Sequence, residues 1–486
     1  MAVFINIYKF FIIVIICHEC VCYNILVVTP MPVISHAILG NSFVKLLLNA
    51  GHKITHVTGI PYNISHPNLR RFEVDYYLES IPNMDSSRAF GRIIRELFIS
   101  SLREKDVNML LRDTKERFDL VVAEWMFNDL YAGLSALYDC PLLWFSATES
   151  HWMMLRLLED TINSQDKTSK YIPPFITSYI IQDMYLYNLE KEAYENIFTP
   201  LMDLRGKSLI KFEESKYFGA QILVYLNVLP HEAKNWPRKF KPIAGYHIDR
   251  QVEPLPKDLQ SIMDNAKYGV IYFSMGSNLN SQDILDGYNE ILMEVFSNLR
   301  QVVLWKHDLK FSHLPSNVHV LKWAPQQSIL SHPNCILFMT QGGALSSIEA
   351  LHFGVAILGI PIIADQFTNI ERAVDQGYAK QVDFPYSTGE DIRDTIEEMI
   401  RNPRFRNKVK ELSRKYHNQS SPGTDLVRYV RKVIRAGITK YSAPYETLYL
   451  KKIFINLGLW GIILLTSLRF IFKNFIRLRR SKKLNA

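Results

Sequence analysis

Cysteine is scarce where it would matter: of the five in this 486-residue chain, Cys17, Cys20 and Cys22 lie in the N-terminal segment, leaving only Cys140 and Cys335 beyond it. Cysteine usage therefore narrows the redox compartment little, and no Cys/His cluster with metal-ligand spacing is present. A chain this long can bury a sizeable core without staples. Internal repeats and low-complexity tracts are absent, which excludes solenoid and fibrous classes. Disorder is excluded by 48% hydrophobic residues against 21% charged. After the first expected strand, residues 29–35 contain no glycine, so the Gly-x-Gly-x-x-Gly fingerprint of dinucleotide-dependent oxidoreductases is missing. A basic nucleic-acid-binding face is missing too. Of the net charge of +8, seven units belong to Arg469, Lys473, Arg477, Arg479, Arg480, Lys482 and Lys483, which leaves +1 on the chain before Arg469.

What is present begins with length, about three times that of a typical domain, which favours two globular domains plus appendages. Residues 10–16 form an apolar run after Lys9 that gives way to the Cys-rich stretch before Tyr23. A basic start and an apolar core too short to span are the outline of a cleavable signal peptide, here residues 1–22. Near the other end, residues 453–468 are uncharged, followed by Arg469 and three more apolar residues. Twenty residues at 1.5 Å rise cover about 30 Å of hydrocarbon if Arg469 snorkels. We expect one transmembrane helix at 453–472 and a basic cytosolic tail at 473–486, which puts residues 23–450 on the lumenal side. The sequons at Asn63 and Asn418 are compatible with that side. A single-pass protein of the endoplasmic reticulum membrane fits this layout.

Between these ends, short β-rich runs alternate with amphipathic stretches, the pattern of βα units around parallel sheets. Strands are expected at 24–29, 54–58, 120–123, 142–146 and 223–227, and a helix at 38–48. Residues 239–256 carry Pro242, Gly245, Pro254 and Pro256 amid charge and read as the interdomain linker. The alternation then resumes, with strands at 269–273, 302–305, 318–321, 336–339, 355–360 and 379–382, and helices near 284–297, 346–353, 367–376 and 390–401. The expected fold is α/β: two doubly wound domains in series, 23–245 and 246–440, facing a cleft.

One stretch is far more specific. Trp323-Ala324-Pro325-Gln326-Gln327 leads to Thr340-Gln341-Gly342-Gly343-Ala344-Leu345-Ser346-Ser347-Ile348-Glu349, then Gly359-Ile360-Pro361 and Ala364-Asp365-Gln366. This resembles the signature of the UDP-glycosyltransferases. The turn at Ser274-Met275-Gly276-Ser277 and the strand ending in Trp305-Lys306 are similar as well, so the likeness runs along essentially the whole chain. The resemblance implies a GT-B architecture of two Rossmann-like domains, the first binding acceptor and the second binding UDP-sugar. It implies that Trp323 stacks on uracil, Gln326 reads its edge, Glu349 takes ribose hydroxyls, and Asp365 with Gln366 takes sugar hydroxyls. The residues themselves agree: a strand joined to a helix through Gly342 and Gly343 frees backbone N–H groups for phosphate. Ser346, Ser274 and Ser277 can donate to diphosphate oxygens, and Lys306 supplies a cation. Gln341 departs from the family, which usually has His there, and an amide donates without ever being cationic.

Transfer to a hydroxyl needs a base, and histidine titrates near working pH. His36, after the first strand, falls where the family's catalytic His lies. An acid must orient it, and Glu124 ends a strand on the same edge where the family often has Asp; Asp129 is the second choice. His52 and His56 read as structural. Asp-x-Asp, which a metal-bound sugar nucleotide would need on the other glycosyltransferase architecture, does not occur, so no metal and no cofactor beyond the UDP-sugar co-substrate is expected. Phe90, Phe98, Trp125, Phe127, Trp152, Met153 and Met154 mark an apolar acceptor pocket. We expect inverting transfer of a hexose, glucose first, to a small lipophilic acceptor; the alternative is a membrane-anchored lipophile-binding or catalytically weakened relative. Nucleic acid is not an expected partner, and self-association is left open.

Overall fold

The computed structural model describes residues 21–75, 87–147, 176–215, 220–225, 240–249, 251–276, 287–308, 311, 313–363, 365–384, 386–419 and 421–437. Most of the expected leader, the spanning segment 453–472, the tail and Ser277 lie outside them. Among the described residues no helix is long and apolar enough to cross a membrane.

Two parallel sheets carry the fold. The first contains β1 (Asn24–Thr29), β2 (Lys53–Thr58), β3 (Leu69–Glu73), β4 (Leu120–Glu124), β5 (Leu142–Ser146), β6 (Ala220–Tyr225) and β7 (Phe240–Ile243), in the order β3-β2-β1-β4-β5-β6-β7. The second contains β8 (Val270–Ser274), β9 (Val302–Lys306), β10 (Val318–Leu321), β11 (Cys335–Thr340), β12 (Ala356–Gly359) and β13 (Ala379–Gln381), in the order β10-β9-β8-β11-β12-β13. The central strands are continuous apolar runs because helices cover both faces; β4, β5 and β8 are buried at every residue.

Two strands fall where the sequence pattern gave no strand expectation, and both are edges. β3 (Leu-Arg-Arg-Phe-Glu) has exposed charges, which suit an edge because they discourage further pairing. β7 lies inside the expected linker and contains Pro242, which an edge tolerates because one side of the strand need not donate. The linker is thus shorter than residues 239–256. The helix after β1, Ile34–Asn49, starts four residues earlier than its apolar spacing indicates and takes His36 into its first turn.

Local signals fix several helix ends. Thr388 and Asp391 cap helix Gly389–Arg401 reciprocally, and Asn402 caps helix Pro403–His417, whose Pro403 occupies a position that lacks a helical N–H partner anyway. Helix Pro422–Ala436 crosses back to the first sheet. Its Leu426, Val430 and Val433, spaced by four and three, pack with Phe43, Val44 and Leu47. Each such buried aliphatic contributes about 1.5–3 kcal/mol relative to exposure, so this helix ties the end of the second unit onto the first.

Candidate active site

Each sheet reverses its strand order once, between β1 and β4 in the first and between β8 and β11 in the second. Beyond the carboxyl ends of such strands an open parallel sheet leaves a crevice. The expected site residues gather at these two places.

On the first side, Val28 of β1 pairs with Ala123 of β4, so the turn after β1 and the last residue of β4 are neighbours despite their distance in sequence. His36 Nδ1 hydrogen-bonds Glu124 Oε1. The Glu124 side chain is fully buried and that of His36 is 11% exposed. A carboxylate can only accept, so the imidazole proton sits on Nδ1 and Nε2 keeps its lone pair. The extra methylene of Glu relative to Asp does not prevent the pairing. Among the described residues, Glu124 Oε2 is buried without a partner, as is the hydroxyl of Tyr246. Burial, reinforced by the Glu124 charge, pushes the Tyr246 hydroxyl well above its usual range. Asp129 instead accepts from Trp125 Nε1 at 3.0 Å.

On the second side, Ser274 ends β8 and accepts from the N–H of Gly276 at 3.3 Å, closing a turn in which Gly276 has φ +77°. Lys306, at the end of β9, donates to the Gly276 carbonyl at 2.8 Å, and its ammonium lies 5.8 Å from the Trp323 ring centroid. Gln341 follows β11; its Oε1 is buried and has no partner among the described residues. Gly342 turns the chain at φ +85°, and helix Ala344–Phe353 begins after Gly343 with no side chain capping it. Its first N–H groups therefore face the crevice at the positive end of the helix dipole, an arrangement suited to an anion.

Further along that helix the polar groups form one network. Gln326 Nε2 donates to Ser346 Oγ at 3.1 Å and to Glu349 Oε2 at 2.5 Å, while its Oε1 accepts from Tyr272 at 3.3 Å. Glu349 Oε1 accepts from Gln327 at 3.2 Å and from His247 Nε2 at 2.9 Å. Trp323 stands 64% exposed beside them, an open aromatic face.

Asp365 immediately precedes helix Gln366–Asp375. Asn369 Nδ2 bridges Asp365 Oδ2 and the Gly342 carbonyl, each at 3.0 Å. Burial raises the Asp365 carboxyl above the ordinary carboxylate value, opposed by the hydrogen bond from Asn369. Gln366 Oε1 accepts from the N–H groups of Ile362 and Ile363 at 2.8 and 3.0 Å, so only its amide nitrogen is left for a ligand.

Sequence reasoning missed His247, Tyr272 and Asn369, which belong to no local motif. Of the aromatic residues assigned to an acceptor pocket, Phe98 and Trp125 are core. Phe127 is half-buried with φ +57° at the turn after β4. Trp152, Met153, Met154 and the Phe90 side chain lie outside the described residues. His52 and His56 are buried at the start and middle of the first sheet, as structural histidines would be. Among the described residues no group of three or more His, Cys, Asp or Glu is placed to hold a metal ion.

The family model described as UDP-glucoronosyl and UDP-glucosyl transferase matches residues 152–436. The chain is 27% identical over 448 residues to UDP-glucosyltransferase 2 of Dactylopius coccus, covering 85% of this chain and 84% of that protein. It is 25% identical over 421 residues to an ecdysteroid UDP-glucosyltransferase of Lacanobia oleracea granulosis virus, covering 81% and 90%. Among solved structures, a spinosyn forosaminyltransferase superposes with a TM-score of 0.61 at 18% identity, covering 85% of this chain and 99% of that one. That likeness speaks for the two-sheet GT-B fold.

Proposed function

The chain belongs to the UDP-glucuronosyl and UDP-glucosyl transferase family and is a UDP-glycosyltransferase; on that premise we propose that it moves a hexose, glucose first, to a hydroxyl of a small lipophilic acceptor with inversion. The observation that carries this reading is the buried hydrogen bond between His36 and Glu124 at the carboxyl edge of the first sheet. His36 Nε2 takes the acceptor proton as the hydroxyl oxygen attacks the anomeric carbon. Glu124 holds the tautomer and offsets the imidazolium charge, without itself being protonated. The leaving diphosphate is received by the N–H groups of helix Ala344–Phe353, with Gln341 as a neutral donor and Lys306 adjacent. Asp365 and the Gln366 amide nitrogen hold sugar hydroxyls, Trp323 stacks on uracil, and Glu349 takes a ribose hydroxyl. One in-line displacement turns an α-linked donor into a β-glycoside.

Glucose is favoured by the names of the Dactylopius coccus and viral relatives, both glucosyltransferases, and the ecdysteroid in the viral enzyme's name supports a flat lipophilic acceptor. The apolar runs at 10–16 and 453–468 and the basic residues after the second support, as part of this proposal, a site for the chemistry on the lumenal side of the endoplasmic reticulum membrane. The test is to incubate the membrane-bound enzyme with labelled UDP-glucose or UDP-glucuronate and a panel of phenols and steroids. Transfer from UDP-glucose to lipophilic hydroxyls, undiminished by chelator, is expected. Donor binding without transfer to any acceptor overturns the reading in favour of a binding protein.

A further inference from the structure

Glu349 does not stand alone on its helix. Tyr225 is the last residue of β6 in the first sheet, and its oxygen accepts from the Gly245 N–H at 3.2 Å. The same hydroxyl lies 2.8 Å from His247 Nδ1. Tyr225 is completely buried, and burial holds its hydroxyl well above the usual range, so it keeps its proton. With the Gly245 N–H already donating to it, that proton has one partner, His247 Nδ1. His247 then carries its own proton on Nε2 and donates it to Glu349 Oε1 at 2.9 Å, with the imidazole fully buried.

Counting acceptor capacity shows what this does. A carboxylate offers about four lone-pair sites. Among the described residues, Oε1 of Glu349 receives His247 and Gln327, and Oε2 receives Gln326 alone. Oε1 is thereby filled, and the remaining capacity belongs to Oε2. Gln326 and Gln327 belong to the second unit, whereas His247 belongs to the short segment between β7 and the helix Lys257–Asp264 and is itself set by β6. The ribose contact is thus aimed from the first sheet.

We propose that His247 is a positioning residue for the sugar-nucleotide donor: it fills Glu349 Oε1 through Nε2–H, turns Oε2 toward the ribose, and so sets selection for a ribose hydroxyl. The proposal rests on Glu349 as the ribose acceptor. A hydrogen bond to a charged group in a buried site is strong enough for its loss to shift discrimination about tenfold.

The test measures binding of UDP and of its 2′,3′-dideoxy analogue to the purified full chain by calorimetry. The parent should prefer UDP about tenfold or more. His247→Ala should reduce that preference to below about threefold, with the analogue bound as before. Gln reaches the Nε2 position and should restore the preference, whereas Asn reaches only the Nδ1 position and should not. The Gln and Asn variants carry the test if His247→Ala does not fold. Glu349→Gln separates the two levels: if it keeps the parental preference, the ribose reading fails and the proposal with it. If Glu349→Gln loses the preference while His247→Ala and His247→Asn retain it, the positioning role alone is overturned. A merely structural His247 would weaken both ligands equally.

Discussion

Gln341 occupies the space that a side chain on Gly276 would fill: a Cβ there would meet Gln341 Nε2 at 2.3 Å. The turn after β8 and the turn after β11 thus fit together only with glycine at 276, which also holds φ +77°. Gly276→Ala should strain the turn and displace the one side chain that departs from the family's histidine. Because Lys306 is anchored to the Gly276 carbonyl, the cation moves with it. We predict that UDP affinity, measured by calorimetry, falls at least tenfold with little change in thermal midpoint. Parental affinity would remove Gln341 and Lys306 from the diphosphate site.

The His36–Glu124 pair predicts two distinct losses. His36→Ala should lower the rate constant for transfer by about 10² to 10⁴, the usual worth of a positioned base, with UDP binding near parental because the donor contacts lie on the other sheet. Glu124→Gln keeps the volume and a hydrogen-bonding atom near Nδ1 but not the charge that balances the imidazolium. An intermediate fall, with acceptor KM unchanged, is expected from initial-rate kinetics. Transfer within twofold of the parent in His36→Ala would exclude it as the base.

Much of this site could be read from the chain because it is contiguous. Residues 323–366 carry most of the proposed donor side in one run, and the glycines at 342 and 343 announce a strand-to-helix turn by themselves. His36 follows directly from the first strand. Glu124 was legible as chemistry but not as geometry: its pairing depends on β1 and β4 being neighbours, a relation set by strand order rather than by any local pattern. His247 left no signal, since its partners Tyr225 and Glu349 come from a strand of the first sheet and a helix packed on the second, and its own surroundings of Pro and Gly look like a plain linker. β7 was hidden for the same reason, Pro242 being a strand breaker everywhere except at an edge.

The junction beside His247 is clasped by a second contact. Tyr416, from helix Pro403–His417, donates its hydroxyl to the Ala244 carbonyl at 3.1 Å, and the same oxygen lies 1.8 Å from where a Cβ on Gly245 would be. Gly245 also has φ +75°. Gly245→Ala should therefore cost about 2 kcal/mol or more, from the left-handed backbone and the overlap together. Chemical denaturation should show the loss as a lower midpoint. Tyr416→Phe relieves the overlap but not the backbone conformation, so the double variant should recover part of the stability and not all. Full recovery would assign the whole cost to the clash.

Stability should also fall on acidification, and His56 is the most strongly shifted of the groups that cause it. Its ring is completely buried between Thr29 Oγ1 and Tyr62 Oη, each 2.8 Å away. Burial, helped by the nearby Arg71 charge, lowers its pKa from 6.5 to about 3. The unfolded chain therefore binds a proton that the folded chain refuses between about pH 6.5 and 3, so the stability present above pH 6.5 declines as pH falls through that window. At pH 5 the loss from His56 alone is about 2 kcal/mol. His52 and His352, both lowered to about 4 chiefly by burial, act in the same direction; at pH 5 each is still protonated less in the folded chain than in the unfolded one, so they add to the loss. His56→Gln keeps hydrogen-bonding reach to Thr29 at the Nε2 position and cannot titrate. Its thermal midpoint should drop less between pH 7 and pH 5 than that of the parent, and an equal drop in the two proteins would show that the acid sensitivity comes from elsewhere.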